Sequence, residues 1–184
     1  DRDLIKALNS VDESLTLSLV QHNQLLRTGQ MVATLKVIPY FVSEAICHQF
    51  EQVLAGRTAF HFYPLRGRQV SLIQTMDHVL QDKVYAATEA VTETRLHQLG
   101  CKLIRRQRCA HNSVDVAAEI KAARAAGAEL ILLCGCSAIA DRQDILPMAI
   151  EDAGGQIDQL GLAVDPGNML LIGHIESLPV IGMP

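Results

Sequence analysis

The stretch ELILLCG, residues 129 to 135, constrains this chain more than any other. It is an almost continuous apolar run of strand length, so it reads as a strand buried on both faces. Such a strand belongs in a parallel sheet covered by helices. Its flanks agree. RQVSLIQT (68–75) reads as another buried strand. Asp82 is placed to cap a helix through Leu99, with Val84, Ala87, Val91, Leu96 and Leu99 on one face and Gly100 at its end. CKLIRRQ (101–107) is the next strand. Ser113 then caps a helix that Gly127 stops, with Asp115 in its first turn and Lys121 and Arg124 towards its end, as the macrodipole favours. Pro147 suits the first position of a third helix, ended by Gly154 and Gly155. GQIDQLGLAV, NMLLIGHI and LPVIG supply three short strands. The βαβαβα order predicts a three-layer α/β domain over 67–184, a mostly parallel sheet flanked by helices.

The first 66 residues differ in style. DLIKALN (3–9) suggests a short helix, and LTLSLV (15–20) alternates with the period of a half-buried strand. MVATLKVIPYFV (31–42) reads as a second strand, with Lys36 on its solvated face. Ser43 caps a helix to about Leu54 that Gly56 ends, and TAFHFYP (58–64) looks like a third strand. This predicts a small N-terminal α+β portion, 1–66.

Composition narrows function. The formal net charge is −4, and no basic stretch interleaved with aromatics occurs, which argues against nucleic acid as a partner. No apolar run approaches membrane-spanning length and no signal-peptide pattern is seen, so a cytoplasmic protein without a membrane partner is expected. The chain begins at Asp1 rather than Met and is expected to be part of a longer protein. Five cysteines read as separate thiols in a reducing compartment. Cys109 with His111, and Cys134 with Cys136, are spaced more closely than zinc pairs usually are.

The segment CGCSAIADRQDILP (134–147) follows the central strand. In open parallel sheets, ligands sit beyond the carboxyl ends of the strands. Gly135, Cys136, Ser137 and Ala138 allow close backbone approach, and their N–H groups suit an anion. The charge does not suit one. Between Gly135 and Pro184 there are seven acidic side chains and one basic one, Arg142, and no lysine follows Lys121. Either Asp141 and Asp144 cap the next helix and its loop, or they hold Mg²⁺ that bridges to a phosphate. At the end of the first core strand, Gln74 and Thr75 could bond a ligand phosphate or are ordinary strand-end polar residues. Lys83 stands in the first turn of the next helix, where it could face a ligand phosphate or simply solvent. His174 reads as a partly buried histidine, and His111 is assigned no role.

Several of these residues form a pattern. An apolar strand (Leu130–Cys134), a Gly135-Cys136-Ser137 turn, Asp141 with Asp144, a Pro166-Gly167 connection and a Gly182-Met183-Pro184 ending resemble the molybdopterin-binding domain. That domain is shared by molybdopterin adenylyltransferases and molybdotransferases. The likeness covers about 68–184. VDESLTLSLV and GQMVATLKVIPYFV are similar to the branch in which this domain precedes a molybdenum cofactor cytidylyltransferase-like domain. Three positions depart from the family pattern. Cys136 stands where a second glycine is usual, Gln74-Thr75-Met76-Asp77 where a Thr-Gly-Asp-Glu-Leu turn is expected, and Asp165 where molybdotransferases often have lysine.

The resemblance implies molybdopterin as ligand or substrate, held by Gly135, Cys136, Ser137, Ala138, Gln74, Thr75, Lys83, Pro166 and Gly167. It implies Mg²⁺ on Asp141 and Asp144, which would also be the catalytic pair. It implies a transferase of molybdenum cofactor biosynthesis, acting by nucleotidyl transfer or molybdate insertion, with a nucleotide as co-substrate and self-association into a homo-oligomer. The departures leave open a non-catalytic module that binds or senses the pterin for a fused or partner nucleotidyltransferase.

Overall fold

A computed structural model describes residues 1–77 and 81–183. The chain divides into two compact units, 1–64 and 65–184.

In the first unit, α1 (Arg2–Asn9) is capped by the Asp1 carboxylate, which accepts from the N–H groups of Asp3 and Leu4. It buries Leu4 and Leu8. Strands β1 (Leu15–Leu19) and β2 (Ala33–Val37) form a two-stranded antiparallel sheet, and α2 (Glu44–Leu54) follows with Ser43 as its cap. β2 is shorter than expected. The Ile38 N–H still bonds the Ser14 carbonyl, but Pro39 has no N–H with which to extend the ladder. The strand expected at 58–64 is absent. The segment is irregular, and Phe60, Phe62 and Tyr63 are exposed. Alternation marks a strand only where a neighbouring ladder exists to receive it.

The second unit holds β3 (Gln69–Met76), α3 (Asp82–Gln98), β4 (Lys102–Ala110), α4 (Ser113–Ala125), β5 (Leu130–Cys134), α5 (Ile145–Asp152), β6 (Gln156–Leu160), β7 (Leu171–Ile175) and β8 (Leu178–Met183). The sheet order is β4-β3-β5-β8-β7-β6. β4, β3, β5 and β8 are parallel, β7 is antiparallel to β8, and β6 is antiparallel to β7. This is the mixed α/β sheet that the pattern predicted. β4 lies to one side of β3 and β5 to the other, so right-handed crossovers must put α3 and α4 on opposite faces. The cores follow that rule. Ile73, Ile131, Leu133 and Val180 pack with Val116, Ile120, Leu146 and Ile150 of α4 and α5. Val70, Leu72, Leu103 and Leu132 pack with Leu96 of α3.

Three helix details correct the sequence reading. Asn112 caps α4, its side chain accepting from the Asp115 N–H, and Ser113 is the first helical residue. Gln81, without a side-chain bond, stands at the cap of α3, and Asp82 is inside it. Pro147 is the third residue of α5, not the first, still within the turn where its missing N–H costs nothing. The buried face of α3 also differs. Tyr85, Thr92 and Leu96 face the sheet, whereas Val84, Val91 and Leu99 are exposed. Polar tethers turn the helix this way. Glu89 bonds the Gln74 amide and Arg108, and Glu93 pairs with Arg106.

Candidate functional site

Strand direction gathers the site. Because β3, β4 and β5 run the same way, the ends at Thr75, His111 and Gly135 share one edge of the sheet. The loop 161–170 joins β6 to β7, which run in opposite senses, and it falls on that same carboxyl edge. It carries Pro166, after a cis peptide from Asp165, and Gly167, with φ +112°.

The Gly135–Asp144 loop is built from its own backbone and from β3. A Cβ on Gly135 would stand 2.8 Å from the Ser137 carbonyl oxygen, so the turn excludes a side chain there. Thr75, only 1% exposed, accepts the Cys136 N–H on its hydroxyl at 2.9 Å. The same hydroxyl lies 2.8 Å from His111 Nδ1, and the Ser137 hydroxyl lies 3.0 Å from His111 Nε2. These contacts assign the tautomer. If Nδ1 carried the proton, the buried Thr75 hydroxyl hydrogen would have no acceptor among the described residues, a loss of about 1–3 kcal/mol. With the proton on Nε2, Thr75 donates to Nδ1 and the imidazole donates to Ser137. The N–H groups of Ser137 and Ala138, both exposed residues, have no partner among the described residues.

Asp144 faces back into the loop. Its Oδ2 accepts the N–H groups of Ala140 and, at 3.1 Å, Asp141. The Ala140 bond first, then the Asp141 bond, hold its carboxyl below the ordinary 3.8, with a smaller contribution from His111. Asp141 Oδ1 accepts the Gln143 N–H at 2.6 Å. Each carboxylate therefore bonds the loop backbone with one oxygen; Asp144 stands at the cap position of α5, but its side chain makes no bond to that helix. Among the described residues no group of three or more His, Cys, Asp or Glu side chains could hold a metal ion. Mg²⁺ gains no support from this geometry. Nor do the cysteines suit zinc. All five are free. Burial first, with Glu119 and Asp115, pushes Cys109 up to about 11, and burial raises Cys134, so both thiols hold their protons more tightly than an exposed cysteine does.

The remaining candidates separate. Gln74 lies on the opposite face of β3 from Thr75. It is 2% exposed, and its amide donates to the Tyr85 carbonyl and to Glu89. Lys83 is exposed in the first turn of α3. Gly182 is a packing residue, since a Cβ there would meet Ile139 and Leu171 at 2.8 and 2.9 Å. Pro184 of the Gly-x-Pro ending lies outside the described residues. His174, on β7, pairs with Asp158 at 2.8 Å. Lys121, Arg124 and Ile175 line an open depression at the opposite edge of the sheet, away from this loop. The residue that sequence reading missed is His111. It sits one position past β4 and meets partners 36 and 26 residues away, so no local spacing announces it.

The second unit is thus a three-layer α/β domain with a donor-lined loop at the carboxyl edge of its parallel strands. No family model matches the chain, and no curated protein matches its sequence. Among solved structures it is similar to CinA from Thermoplasma acidophilum, a protein described as of unknown function. That match has 14% identity and a TM-score of 0.50, and covers 64% of this chain and 88% of that one. It is also similar to the molybdopterin biosynthesis protein MoeA from Pyrococcus horikosii, at 19% identity and a TM-score of 0.46, over 75% of this chain. The chain spans only 35% of the length of that protein. The CinA likeness bears on the fold alone, and the MoeA likeness, at its TM-score, carries no argument. No helix among the described residues is long and apolar enough to cross a membrane.

Proposed function

We propose that the second unit binds molybdopterin through its terminal phosphate and acts in molybdenum cofactor biosynthesis. One observation carries the reading. The Gly135-Cys136-Ser137 turn and the Pro166-Gly167 connection, chosen on motif and separated by about thirty residues, lie on the same edge of the sheet. The turn offers the Ser137 and Ala138 N–H groups and the Ser137 hydroxyl to phosphate oxygens, and the 161–170 loop would border the pterin. Where a nucleotide or molybdate is the second reactant, the chain's part is to orient the phosphate by these donors. No step is routed through Mg²⁺. Its contribution, and that of Asp141 and Asp144, is read by chelation: affinity unchanged by EDTA and by Asp144→Asn removes the ion from the reading.

A second reading has its own support. The groups left uncommitted at the Ser137–Ala138 backbone are hydrogen-bond donors, no lysine follows Lys121, and Cys136 and Asp165 stand where the family pattern has glycine and lysine. That favours a module that holds the pterin for a fused or partner nucleotidyltransferase, as a monomer or a homo-oligomer. Calorimetric titration with molybdopterin, followed by assay of ATP or CTP consumption with Mg²⁺, separates the two. Binding with turnover supports the transferase. Binding without turnover supports the module. No binding sinks both.

A further inference from the structure

We infer that His111 is a positioning residue that sets the donor polarity of the Gly135–Ala138 loop and so fits it to a phosphate. The inference deepens the site proposed above and rests on that reading only for the identity of the phosphate's carrier. The chain of contacts has a direction. The Cys136 N–H donates to Thr75, Thr75 donates to His111 Nδ1, and His111 Nε2–H donates to Ser137 Oγ. With an acceptor site of the Ser137 oxygen filled by the imidazole, its hydroxyl hydrogen is left for a ligand. Three donors then lie within two residues, the Ser137 O–H, the Ser137 N–H and the Ala138 N–H, none of them with an acceptor among the described residues. A terminal phosphate, acceptor-only on its charged oxygens, matches that set, whereas a neutral ring offering mixed donors and acceptors does not. Each bond in the chain polarises the next, so the buried end at Thr75 strengthens the exposed end at Ser137. The imidazole touches the ligand through Ser137 rather than directly.

Nuclear magnetic resonance on the whole 184-residue chain tests it, with inorganic pyrophosphate as probe. Long-range nitrogen spectra should show His111 as the Nε2–H tautomer, and pyrophosphate should move the Ser137 and Ala138 amides. His111→Phe should weaken pyrophosphate about fivefold, the worth of one neutral hydrogen bond. His111→Gln should restore affinity to within about twofold, because its amide can accept from Thr75 and donate to Ser137. An Nδ1–H tautomer, unmoved amides, or equal losses in the Phe and Gln variants would overturn the inference. Should His111→Phe fail to fold, Ser137→Ala decides instead. It must weaken pyrophosphate while leaving the His111 tautomer unchanged, and unaltered affinity defeats the idea. Pyrophosphate binding without molybdopterin binding would sink the pterin reading and leave His111 its role. Molybdopterin binding with both amides unmoved would do the reverse.

Discussion

At the scale of single residues, the site is a matter of where hydrogens go. Gly135 is fixed by the carbonyl oxygen of Ser137, which occupies the space a Cβ would need. Asp144 is fixed by two loop N–H groups. Its folded carboxyl titrates below the ordinary 3.8, so the closing bonds are intact above that pH and are lost as pH falls through the depressed value. The amide shifts of Ala140 and Asp141, followed from pH 7 downward, should stay flat through the usual carboxylate range and move only below it. Movement centred at the ordinary value would mean that the loop does not hold the charge. The small turn and the loop bonds of its two aspartates were legible in sequence because side chain-to-backbone bonding and close backbone approach are local. The partner of that turn was not. Thr75 and His111 meet it only because β3, β4 and β5 run side by side.

At the scale of elements, β5 declared itself and α3 did not. Three consecutive buried residues, Ile131 to Leu133, need no phase to be read, since both faces are covered. A helix needs its phase, and in α3 the valines sit on the wrong side. Tyr85, Thr92 and Leu96 make the buried stripe, while β4 fixes the rotation through Arg106 with Glu93 and Arg108 with Glu89. Periodicity in apolar residues could not have found a face set by ion pairs to an adjacent strand. Denaturant unfolding checks it: Leu96→Ala should cost about 2–4 kcal/mol, as buried leucines do, and Val91→Ala no more than about 0.5 kcal/mol, as at exposed positions. Similar losses at both positions would put the helix in the orientation that the sequence pattern implied.

At the scale of the whole molecule, the two units differ in what they bury. The second has two apolar cores, one on each face of a six-stranded sheet. In the first, Leu4, Leu8 and Leu15 are the buried apolar side chains among the described residues, and α2 buries none. Tyr40 and Phe41 are almost wholly exposed. A core that small does not offset the conformational entropy of some sixty residues. Residues 65–184 expressed alone should therefore unfold cooperatively with mixed α/β circular dichroism, and residues 1–64 alone should show no sigmoidal transition. A cooperative transition in the shorter piece would contradict this account of its core. The two-residue turn at Glu176 and Ser177 joins β7 to β8 at the edge of the sheet remote from the Gly135–Asp144 loop. It is therefore the natural place to graft a fluorophore or a surface tether, since a cargo carried there leaves the Gly135–Asp144 loop unobstructed.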